Sequence, residues 1–118
     1  MRVGMVLEGG GMRGMYTAGV LDAMMENEIQ IDGIVGVSAG TVFGCNYKSK
    51  QIGRVLRYNL RFSSDKRFVG WRSLLKTGDL MDKQFYFDEL PYHLDPMDLD
   101  TYKSNKMQFK AVVTNLIT

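Results

Sequence analysis

The 118-residue chain holds one cysteine, Cys45, and one histidine, His93. A lone cysteine excludes an internal disulfide, and with a single histidine beside it a Cys/His zinc cluster is excluded too. A reducing, cytoplasmic setting fits that usage. Long apolar runs are also missing. No stretch approaches the ~20 apolar residues that a membrane-spanning helix requires. The short apolar run after Arg2 is broken at Glu8 and the glycines behind it, so the N-terminus does not read as a signal peptide. Internal repeats, low-complexity tracts and linkers are absent. What remains has the length of one domain or part of one. Its hydrophobic share of 45% is ordinary for a globular core and too high for a disordered segment.

Charge is unevenly spread around a net +2. Eight Lys/Arg lie between Lys48 and Arg72 against Asp65 alone, and seven Asp/Glu lie between Asp79 and Asp100 against Lys83. With Phe62, Phe68 and Trp71 interleaved, the basic stretch has two readings. It is a solvated helix with anchoring aromatics, or a peripheral contact with an anionic membrane surface. Nucleic acid is not an expected partner, because no recognised binding module accompanies the charge.

Periodicity orders the elements. Val3 to Leu7 is a continuous apolar run, the pattern of a strand buried on both faces. A helix is expected over about 13–27, with Val20, Leu21, Met24 and Met25 on its core side. A second strand runs from Ile34 to Val37, and a helix from Ala39 to Tyr47 with Ala39, Val42, Phe43 and Tyr47 along one side. Gln51 to Phe62 reads as a helix with Ile52, Val55, Leu56 and Leu60 along one side and Arg54, Arg57 and Arg61 along another. Phe85 to Leu94 is a candidate short helix ending before Pro96, and Gln108 to Ile117 a further strand. Strand, helix, strand, helix is the order of an α/β domain with a parallel sheet. A sheet that stops at its third strand has an edge to cover. Residues 1–118 are therefore expected to be the N-terminal portion of a single domain, completed by further sequence or another chain.

Two motifs fall at strand ends. Gly9, Gly11 and Gly14 satisfy G-x-G-x-x-G between a strand and a helix, the context of a dinucleotide fingerprint. That fingerprint also needs an acidic residue ending the second strand, and Asp32 begins it instead. What ends the second strand is "GVSAG", Gly36 to Gly40, the G-x-S-x-G nucleophile elbow. Such a turn projects Ser38 at the carboxyl edge of the sheet, at a helix N-terminus that favours developing negative charge. Parallel strands would bring the glycine loop beside Ser38, where its N–H groups can hold an oxyanion. Arg13 would fix the loop or add positive charge. Met12 and Met15, which flank it, read first as core packing and second as the lining of an acyl pocket.

"EGGGMRG" followed by "GVSAG" resembles the patatin-like phospholipase family, with "TGDLMD" (Thr77 to Asp82) and "FKAVVTNLIT" (Phe109 to Thr118) as less specific matches. The resemblance implies a three-layer patatin-like parallel-sheet fold, truncated here after about three strands. It implies a serine acyl hydrolase of lipid or carboxylic esters, without cofactor or metal. Ser38 matches the nucleophile, Gly9, Gly10, Gly11 and Arg13 the oxyanion loop, and Gly36 and Gly40 the elbow. The family's catalytic aspartate lies in a D-G-G or D-G-A motif far downstream. The only D-G here is Asp32-Gly33, ahead of the second strand, so the base is expected outside these residues and the short chain alone to be inactive. His93, in an irregular "PYHLDP" stretch, reads as a surface residue. The other reading is a nucleotide- or phosphate-binding α/β domain that uses Gly9 to Gly14 as an anion cradle.

Overall fold

Three short strands with apolar cores, β1 (Gly4–Leu7), β2 (Gly33–Val37) and β3 (Gln108–Val112), pair in parallel in the order β1-β2-β3. The computed structural model describes residues 1–65 and 82–117. The Thr77–Met81 part of "TGDLMD", and Phe68, Trp71 and Arg72 of the basic stretch, lie outside the described residues. The register sets Leu7 beside Gly36 and Ile34 beside Phe109, so these four share one face of the sheet.

The chain divides into two units, Met1–Val55 with Asp98–Thr118, and Leu56–Met97. In the first, β1 leads through a 3-10 turn (Gly11–Gly14) into α1 (Met15–Glu26), and β2 leads directly into α2 (Ala39–Lys48). Helix α2 covers the Leu7–Ile34–Phe109 face at close range. A Cβ added to Gly44 would lie 2.8 Å from Phe109 Cε2 and 3.1 Å from both Ile34 Cγ2 and Leu7 Cδ1. The opposite face carries Val6, 77% exposed, with Val37 and Val112 also open. The apolar run of β1 is therefore buried on one face, not on both as its composition suggests, because α2 covers one side of the sheet.

Helix faces differ from the periodic expectation in the same unit. Helix α1 buries Ala18 and Leu21 and exposes Val20, while α2 buries Gly40, Phe43, Gly44, Asn46 and Tyr47 and exposes Val42. Both helices end on a residue in the left-handed region, Glu28 and Lys50. Ile29 N–H donates to Met24 O at 2.9 Å and Gln51 N–H to Asn46 O at 3.1 Å, which closes the two C-termini. A fourth helix, α4 (Leu99–Ser104), was not visible in the periodicity; α3 (Arg54–Phe62) precedes it. Asp98 caps α4, accepting from Thr101 N–H at 2.9 Å and Thr101 Oγ1–H at 2.6 Å. These bonds hold its carboxyl below the ordinary value of 3.8. A depressed folded-state pKa adds stability above the unfolded value that is lost as pH falls through the folded one. Asp98→Asn should therefore flatten the fall in stability below about pH 4, read by urea denaturation at neutral and acid pH.

The second unit is held by aromatics. Phe85 is fully buried, with the Phe62 ring edge-on at 5.3 Å and Tyr86 at 5.8 Å. Phe85–Leu94 is a π-helical segment. Pro91 lies inside it and has no N–H for an ordinary helical ladder, and Asp95 N–H reaches back five residues to Leu90 O.

Helix α3 forms where the sequence places one, but its apolar side is not the buried side. Its buried side carries Arg54, Val55, Tyr58, Asn59 and Phe62, while Leu56 and Leu60, grouped with Val55 by the periodicity, are exposed. All three arginines are engaged, Arg54 buried and Arg57 and Arg61 exposed. Arg54 donates to Asn46 Oδ1 at 2.7 Å within the first unit. In the second unit Arg57 makes a bidentate pair with Asp95, both bonds 2.8 Å, and Arg61 donates to Leu94 O. Arg54, buried with Asn46 as its partner, is the position where apolar periodicity misleads most. Among the described residues no helix is long and apolar enough to cross a membrane.

Candidate active site

Ser38 follows the last residue of β2 and caps α2 with φ 52° and ψ −123°. A non-glycine residue in that region is strained by about 1–3 kcal/mol, and such strain collects where a side chain must be aimed. Its carbonyl accepts Thr41 N–H at 2.9 Å, the first bond of the helix. Its hydroxyl is exposed and bonds to no described residue. No acid stands in the first turn of α2, so the positive end of the helix dipole is not offset from within the helix.

The flanking glycines answer demands for space. A Cβ on Gly36 would lie 2.6 Å from Thr41 Cα and 2.8 Å from Thr41 N. One on Gly40 would run into Leu7 O, with Glu8 O at 2.7 Å. The end of β1 thus rests on the first turn of α2, and this seats the glycine loop next to the serine. Gly9 faces Ser38: a Cβ there would stand 3.0 Å from Ser38 Cβ and 3.7 Å from Ser38 Oγ. Gly10 is extended at φ 171°, and Arg13 N–H donates to its carbonyl at 3.1 Å, which closes the turn. Gly11, at φ 53° with open space around it, is needed for its backbone conformation.

Of the remaining sequence candidates, Arg13 is exposed and its guanidinium has no partner among the described residues. Met12, read as core, is 54% exposed beside it, and Met15 is half-buried. Asp32 is at the far end of β2, where its carboxylate accepts Val3 N–H at 2.6 Å. It therefore does not stand at the carboxyl edge, where a ribose would need it. His93 is an exposed residue of the second unit. Cys45 is partly buried in α2, and burial pushes its thiol above the ordinary value, so it is a poor nucleophile at neutral pH. Among the described residues no group of three His, Cys, Asp or Glu could hold a metal ion. Sequence reasoning missed the contact between Gly14 and Phe43, whose only signal is a glycine at a helix entrance.

A family model for patatin-like phospholipases matches residues 5–114, a span that contains all but the first residue of β1, the glycine loop, the elbow and β3. The chain belongs to the patatin-like phospholipase family. It is 31% identical over 105 residues to the uncharacterized protein YjjU of Escherichia coli (strain K12), covering 85% of this chain and 28% of that protein. It is 38% identical over 74 residues to lysophospholipase NTE1 of Mycosarcoma maydis, covering 58% of this chain and 4% of the relative. The chain thus spans less than a third of the length of these relatives. No solved structure matches it. Ser38 and the loop Gly9–Gly14, joined at one sheet edge, both fall inside the patatin-like match.

Proposed function

We propose that this patatin-like chain carries the nucleophile and the oxyanion hole of a serine acyl hydrolase acting on lipid or carboxylic esters. The approach of Gly9 to a strained, outward-facing Ser38 carries this reading. Ser38 Oγ attacks the ester carbonyl carbon, the Oγ–C bond forms, and the serine proton passes to the base. The N–H groups of Gly10 and Gly11 and the N-terminus of α2 take up the charge on the carbonyl oxygen. Arg13 adds positive charge at the same edge. Collapse expels the alcohol with that proton, and water then hydrolyses the acyl-enzyme.

The base is an aspartate outside these 118 residues. Asp32-Gly33 is the one D-G pair in the sequence, and its carboxylate is bound to Val3 N–H at the wrong end of β2. The sheet face bearing Val6 and Val112 takes the second helical layer of a three-layer fold from further sequence or another chain. A reducing cytoplasmic setting suits the single thiol. An acid at the carboxyl end of β2 would favour a nucleotide cradle, and none stands there.

An alkyl fluorophosphonate tests the assignment. Ser38 Oγ would bond to phosphorus as fluoride leaves. Intact mass and peptide mapping of the complete gene product should give one adduct, on Ser38, and none in Ser38→Ala. An adduct on another residue, or ester hydrolysis with no adduct, would overturn it.

A further inference from the structure

Glycine at position 14 is not required by its own backbone. Its φ of −61° and ψ of −10° suit any residue. What glycine supplies is room. A Cβ there would lie 2.6 Å from Phe43 Cε2, 3.4 Å from Phe43 Cδ2 and 3.5 Å from Ala39 Cβ. Phe43 is 6% exposed, so its ring has no open space to swing into.

The placement of Phe43 gives this contact a consequence. It sits five residues after Ser38 on α2, so the nucleophile and the ring ride on one helix. Gly14 closes the turn that begins at Gly11 and is tied to Gly10 through the Arg13 N–H. We infer that Phe43 is a positioning residue: its ring edge against Gly14 sets the height at which the Gly10 and Gly11 N–H groups stand over Ser38. The inference rests on the hydrolase reading of Ser38. Any shift of α2 carries serine and ring together, so the gap between nucleophile and oxyanion donors is held constant.

Four forms test it: wild type, Gly14→Ala, Phe43→Leu and the double variant. In the complete gene product, Gly14→Ala should lower kcat for a p-nitrophenyl ester by roughly 100-fold, the cost of a misplacement near 1 Å. KM should barely move. The double variant, with a shorter side chain facing the new methyl, should recover most of that loss. In the 118-residue chain, the backbone amide shifts of Gly9, Gly10 and Gly11 should move in Gly14→Ala and return in the double variant. Unchanged kcat and amide shifts in a folded Gly14→Ala overturn the inference, as does a double variant no better than the single. If wild type fails to hydrolyse esters while the amide shifts move and return, the positioning contact stands and the hydrolase reading falls. Should Gly14→Ala not fold, Phe43→Leu and Phe43→Tyr decide. Leucine should lower kcat at constant KM and tyrosine restore it, and equal activity in both at the wild-type level overturns the inference.

Discussion

Gly40→Ala is expected to cost the first unit about 3 kcal/mol or more, enough to unfold a marginal domain. The new Cβ meets the Leu7 and Glu8 carbonyls, which are backbone atoms and cannot rotate aside. Relief requires lifting α2 off the end of β1, and Gly40 is buried at that contact. Gly19→Ala in the interior of α1 is the control, since a Cβ there meets nothing within 4 Å. It should stabilise by about 0.5–1 kcal/mol, the ordinary gain of alanine over glycine in a helix. Urea denaturation of both variants reads the difference. A Gly40→Ala chain as stable as wild type would mean that the glycine loop is not seated on α2, and the geometry of the site would go with it.

The same contact explains why backbone demands are easier to read from sequence than the faces of the helices. Motifs such as G-x-G-x-x-G and G-x-S-x-G record backbone demands: open φ at Gly11, clearance at Gly36 and Gly40, strain at Ser38. Those demands are local, so they survive in a string of letters. Burial is not local. Val6 and Leu7 are adjacent and equally apolar, yet one is 77% exposed and the other 4%, because α2 covers one face of the strand. On α3 the usual signal was reversed, with Arg54 buried through Asn46 and Leu60 left at 66% exposure. Helix α4 was hidden for a different reason. Its six residues are too short for periodicity, and only the Asp98–Thr101 cap marks where it starts. Gly14 could be read as part of a motif, but its partner Phe43 lies 29 positions on, visible only once α2 is packed.

Ser38→Ala should remove ester hydrolysis and leave the fold unchanged. Alanine keeps the backbone at the elbow and deletes one oxygen that bonds to no described residue, so the melting temperature should hold. Activity has no such reserve. Without Oγ no acyl-enzyme forms, and water in the same oxyanion hole recovers only a residue of the rate. The decisive measurement is p-nitrophenyl ester hydrolysis by three proteins side by side: the 118-residue chain, the complete gene product and its Ser38→Ala variant. The predicted result is turnover by the complete product alone. Turnover by Ser38→Ala at the wild-type rate, or by the 118-residue chain through Ser38, would contradict the account. The first result would remove the nucleophile, and the second would place the base inside these residues.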